Sequence, residues 1–155
     1  MKPVPGVYQL VIRLRRPAVI TVGALGCFRF PAGWYVYSGS AKNGLVQRIR
    51  RHLRQDKRKH WHIDYLLAAT DRVEAFVLPG SAVSECELHG QLQGCQVLVP
   101  GFGASDCDCE SHLAYIRKRP GIGLMGFTCY PRDYCTEVDA VVIEGGSRPE
   151  SPCAG

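Results

Sequence analysis

Between Gly33 and Leu53 the apolar period changes from two to four, and this switch limits the folds open to the chain. In "GWYVYSG", residues 33–39, side chains alternate faces, with Trp34 and Val36 on one and Tyr35 and Tyr37 on the other. Leu45, Ile49 and Leu53 then recur every four residues, the stripe of an amphipathic helix. A strand, a glycine turn at Gly39 and a helix follow one another directly. Such a unit needs a sheet on which the helix stripe can lie.

The flanking segments supply strands for that sheet. "VYQLVIRL", 7–14, is apolar and β-branched, and "AVITVG", 18–23, reads as its partner across "RRP". "WHIDYLLAA", 61–69, reads as a short helix, and "RVEAFVLP", 72–79, as a strand stopped by Pro79. "AVSECELHGQLQG", 82–94, reads as a helix with Ser81 as N-cap and Gly94 as stop. "CQVLVPGFG" reads as strand then loop, and "SHLAYIRK" as a last helix. The expected fold is α+β, with a small three-stranded antiparallel sheet flanked by helices. Residues 1–118 form the expected domain. Residues 119–155 form an irregular extension whose end, "GGSRPESPCAG", reads as a disordered tail.

Charge is concentrated beside the helix. Eight basic residues lie from Lys42 to Lys59 with one acid, Asp56, a net of +7 in a chain whose total is +5. The remainder therefore nets −2, and the local excess has the form of a phosphate-binding footprint or of a solvated helix face. No apolar run is long enough for a membrane span, and the N-terminus lacks the pattern of an export signal. The expected location is cytoplasmic. Eight cysteines in such a chain suggest reduced thiols or metal ligands rather than a disulfide framework. In "SDCDCESHL", Cys107, Cys109 and His112 can converge, with Cys86 or His60 as a fourth ligand. Thiolates with imidazole suit a structural zinc, and buried free thiols are the alternative.

"GVY" at 6–8 and "YSG" at 37–39 resemble the two signatures of the GIY-YIG nuclease superfamily, and "RIRRH", 48–52, resembles its arginine-and-histidine helix. "WHIDYLL" and "GFGASDCDCESHLAY" resemble one uncharacterised prokaryotic branch, found alone or fused to endonuclease III. The resemblance implies a divalent-metal-dependent endonuclease hydrolysing phosphodiester bonds in DNA, in repair or processing. In it Tyr8 and Tyr37 line the site and handle the attacking water. Arg48 contacts the scissile phosphate and His52 transfers a proton or touches phosphate. Glu87, preferred over Glu85, binds Mg²⁺ or Mn²⁺. Gly39, Ser40, Lys42, Arg51, Arg54 and Lys57 would contact the nucleic acid, and a protein partner would supply specificity. Gly44 lengthens the link to the helix, which makes Arg51 the alternative to Arg48. Two departures stand out: Val7 for isoleucine, and Ser38 where the signature has an aliphatic residue. For His62 and Asp64 two readings stay open, a role at the site or plain hydrogen bonding at the sheet edge. The competing functions are a non-catalytic nucleic-acid-binding module, zinc-stabilised or not, and a zinc-stabilised interaction domain.

Overall fold

The computed structural model describes residues 3–55, 57–70, 72–80, 83–92, 94–104, 107–122 and 128–131. In chain order its main elements are β1 (Gly6–Leu14), β2 (Ala18–Thr21), β3 (Cys27–Phe30), β4 (Gly33–Ala41), α1 (Leu45–Leu53), α2 (His62–Leu67), β5 (Arg72–Pro79), α3 (Glu85–Gly90), β6 (Leu113–Ile116) and β7 (Thr128–Pro131). The class is α+β, as the sequence implies. The antiparallel sheet is larger than three strands, with the order β6-β4-β1-β5-β7.

β1 is the central strand, paired with β4 on one side and β5 on the other. Both of its edges are therefore taken, and β2 pairs with β3 in a separate ribbon instead of with β1. "SHLAYIRK" is a second correction. Its apolar run forms β6, which completes the free edge of β4 by pairing Leu113 with Tyr37 and Tyr115 with Tyr35. The strand expected at "CQVLVP" reduces to one bridge between Gln96 and Tyr115. α3 is shorter than expected, because Leu88 is its one buried side chain and no second apolar turn extends it. Its cap is Ser84, whose Oγ accepts the Glu87 backbone N–H at 3.1 Å. Ser81 and residues 132–155, the expected tail included, lie outside the described residues.

The core forms on one face of the sheet. Tyr8, Leu10 and Ile12 of β1, Tyr35 and Tyr37 of β4, and Val73, Ala75 and Val77 of β5 join the α1 stripe in one buried cluster. Leu45, Ile49 and Leu53 are all at most 1% exposed. Each contributes roughly 1.5–3 kcal/mol by leaving water. Ile63, Leu66 and Leu67 of α2 close the same cluster. The opposite face carries Ser38 and Ser40, and α3 lies against β4 there. Trp34 also belongs to that face, with the guanidinium groups of Arg13, Arg72 and Arg119 at 5.5–5.7 Å from its ring.

Candidate functional site

A cleft of about 580 Å³ opens where β1, β4, α1, the start of α2 and α3 meet. Tyr8, Tyr37, Gly39, Ser40, Lys42, Arg48, His60, Trp61, His62, Glu85 and His112 are among its lining residues. A larger depression, about 720 Å³, lies by Arg13–Ala18 at the far end of β1. Among the described residues it gathers no convergent acid, histidine or cysteine, so the smaller cleft is the candidate site.

Register explains why two tyrosines meet there. Tyr8 pairs with Gly39, so its ring crosses onto β4 where no side chain stands. A Cβ at Gly39 would lie 2.5 Å from the Tyr8 hydroxyl. Gly39, expected as a turn, instead lies inside β4 and makes room for a tyrosine. The Tyr8 hydroxyl is 2.8 Å from His52 Nε2. Burial pushes Tyr8 up to about 12, against the pull of the neighbouring Arg48 guanidinium. Burial also raises Tyr37. His52 is wholly buried and absent from the cleft wall, where its partner Tyr8 stands. Burial lowers it to about 3, with Asp64 opposing, so the ring is neutral. Among the described residues His52 Nδ1 has no hydrogen-bond partner. A bare buried lone pair is less costly than a stranded N–H, which places the ring proton on Nε2, donating to the Tyr8 oxygen.

The basic helix divides into different jobs. Arg48 lines the cleft, donates to the Ser40 carbonyl at 2.8 Å and stacks 4.5 Å from the Trp61 ring centre. Arg51 is instead engaged with Asp64, its Nη1 and Nη2 each donating to one carboxylate oxygen at 2.8 Å. Arg51, the alternative to Arg48, lines a basic groove and not the cleft. Asp64 also accepts the backbone N–H groups of His60 and Trp61, which fixes the start of α2. Its burial would raise the carboxyl, yet these donors hold it at about 2. Lys57 donates to the His52 and Arg54 carbonyls and so caps the C-terminus of α1. Arg51, Arg54, Lys57, Arg58, Lys59 and His60 line a basic groove of about 590 Å³. His60 lines both the cleft and this groove.

Of the two glutamates, Glu85 faces the cleft and Glu87 is exposed elsewhere on α3. Glu85 Oε1 accepts from Ser40 Oγ at 3.3 Å, and Oε2 lies 3.6 Å from His112 Nδ1. Behind this carboxylate stand Cys86, Cys107, Cys109 and His112, whose ligand atoms all lie within 4.8 Å of one another. His112 Nε2 is 3.3 Å from Cys107 Sγ and 3.5 Å from Cys86 Sγ. Three thiols and an imidazole so placed could hold a metal ion. His60, the other fourth ligand considered, is not in this group.

Sequence reasoning missed three contributors. Trp61 is the platform under Arg48 and Arg51. Ser38 Oγ bonds His89 Nδ1 at 2.8 Å and accepts from Gln9 Nε2 at 3.1 Å, so the odd residue of the second signature anchors α3. His89 itself is held down to about 4 by burial and by the nearby His112, which keeps it neutral. The signal for Ser38 and His89 was the polar residue in an aliphatic position. Trp61 carried none beyond its place beside the basic segment.

A family model described as domain of unknown function DUF123 matches residues 7–124, most of the chain, and the protein belongs to that family. No curated protein and no solved structure matches it. Among the described residues no helix is long and apolar enough to cross a membrane.

Proposed function

We propose that this protein is a metal-dependent nuclease of GIY-YIG type that hydrolyses phosphodiester bonds in DNA. One observation carries the reading: Tyr8, Tyr37, Arg48 and, among the described residues, a single carboxylate, Glu85, line one cleft that shares His60 with a basic groove. Arg48 supplies the fixed positive charge that a phosphate in the transition state needs. Trp61 and the Ser40 carbonyl hold its guanidinium in place. The Tyr8 oxygen, receiving the His52 Nε2–H and facing Arg48, orients the attacking water. The exposed Arg54, Arg58 and Lys59 track the flanking backbone phosphates.

Glu85, with a side chain 32% exposed, suits a hard cation that takes one carboxylate and keeps its waters. A bound Mg²⁺ or Mn²⁺ supplies Lewis-acid stabilisation of charge on the leaving oxygen. The cysteine–histidine group suits a different ion. Tetrahedral zinc requires donor separations of roughly 3.3–3.8 Å, which the two sulfur–imidazole distances match. Zinc held there would tie α3 to the 107–112 loop and fix Cys86 beside Glu85, which lines the cleft.

The test is Mg²⁺-dependent nicking of a panel of duplex, branched and single-stranded DNA. Arg48→Ala and Glu85→Gln should abolish cleavage while remaining folded, and Glu87→Gln should leave it intact. A second reading, a binding module without cleavage, is favoured by the lack of a second carboxylate among the described cleft residues. Salt-sensitive DNA binding with no cleavage on any substrate would establish it in place of the first.

A further inference from the structure

The cleft holds one more group whose proton position is dictated by the backbone. His62 is the first residue of α2 and lines the cleft with Tyr8, Tyr37, Arg48 and Glu85. Its Nδ1 lies 3.0 Å from the Gly103 backbone nitrogen and accepts that N–H. A backbone N–H can only donate, so Nδ1 carries the lone pair and Nε2 the hydrogen. Phe102 packs 5.6 Å from the ring centre and restrains its rotation. Gly103 can approach because it has no side chain: its φ is +68°, and a Cβ would stand 2.8 Å from the Tyr37 ring. Among the described residues Nε2 has no hydrogen-bond partner, and it is not among the buried unpaired atoms. An oriented donor is thus left facing the cleft.

We propose that His62 is a catalytic residue of this site, donating its Nε2–H to a non-bridging oxygen of the phosphodiester held by Arg48. The assignment rests on the nuclease reading above. In this tautomer the ring offers the cleft no lone pair, so it takes no proton from the attacking water. It breaks and forms no covalent bond. Its work is to add a second, fixed donor to an oxygen that gains charge in the transition state.

The experiment compares wild type, His62→Ala and His62→Gln on one duplex DNA carrying a single phosphorothioate of defined stereochemistry at the cleavage position. Glutamine can place an N–H near the imidazole Nε2 position, so it should retain cleavage within about tenfold. Alanine should lower kcat by about 10²–10³ with a smaller change in KM, the cost of removing one oxyanion donor. Sulfur is a poor acceptor, so one diastereomer should slow the wild type and leave the alanine variant little changed. Two-bond ¹⁵N–¹H spectra of wild type should show His62 protonated at Nε2 and bare at Nδ1. Alanine and glutamine variants of equal activity, an unaltered sulfur effect, or protonated Nδ1 would each overturn the His62 assignment while the nuclease reading stands. A wild type that cleaves no DNA would sink the nuclease reading and this assignment with it.

Discussion

The Arg51–Asp64 pair offers a quantitative test because its energy can be worked from two independent directions. Asp64 has no exposed side-chain surface, and Arg51 is 22% exposed. Replacing Asp64 by asparagine leaves Arg51 without its charge partner. Removing one member of a buried pair costs about 3–5 kcal/mol, and the partial exposure of Arg51 points to the lower end, about 3 kcal/mol. The second route is proton linkage. Burial would raise the Asp64 carboxyl, but the Arg51 bonds and two backbone N–H groups bring it from 3.8 to about 2. A depressed carboxyl stabilises the fold fully above its unfolded value and loses that contribution as pH falls through the folded one. The whole contribution is about 2 kcal/mol, of which roughly 1 kcal/mol disappears between pH 6 and pH 3. Urea unfolding at several pH values, wild type against Asp64→Asn, measures both. The variant should lose about 3 kcal/mol at pH 6, and the gap should narrow by roughly 1 kcal/mol at pH 3. Parallel stability curves would show that the pair is not coupled to folding in this way.

Three further outcomes follow from the site. Protein purified without added metal should carry about one equivalent of zinc by elemental analysis, and Cys109→Ser should lose it with a lower Tm; metal-free wild type would rule out the zinc centre. Gly39→Ala should cost about 1–3 kcal/mol, because its Cβ would stand 2.5 Å from the Tyr8 hydroxyl; unchanged urea midpoints would show that Tyr8 gives way freely. The logarithm of DNA affinity should fall with the logarithm of salt, and Arg54→Ala should reduce that slope by about 1; an unchanged slope would take Arg54 off the DNA path.

What the sequence made legible was local. The α1 stripe and the limits of β5 are set by neighbouring side chains, and both lie where the periodicity puts them. Pairing is not local. β2 was free to be matched with β1 on paper, and only the occupation of both β1 edges sends it to β3. β6 spans four residues, too few to separate a strand from a helix turn by period. Arg51 and Asp64 are 13 positions apart across an irregular link, so nothing in the basic run distinguished Arg51, which is tied to a carboxylate, from its neighbours.

The choice between Glu85 and Glu87 turns on how a strand repeat meets a helix repeat. Ser38 and Ser40 share a face of β4, two residues and about 6.6 Å apart. Glu85 and His89 share a face of α3, four residues and about 6 Å apart along the axis. These spacings match, so one helix face docks on one strand face, Ser38 to His89 and Ser40 to Glu85. The docking rotates Glu87 away from the strand and leaves Cys86 beside His112. A serine at position 38 departs from the signature that makes the chain resemble a nuclease. That same serine anchors the helix that carries the one α3 carboxylate lining the cleft. The departure and the candidate site are therefore one feature of the fold, and an aliphatic residue at 38 would forfeit the His89 bond that sets the phase of α3.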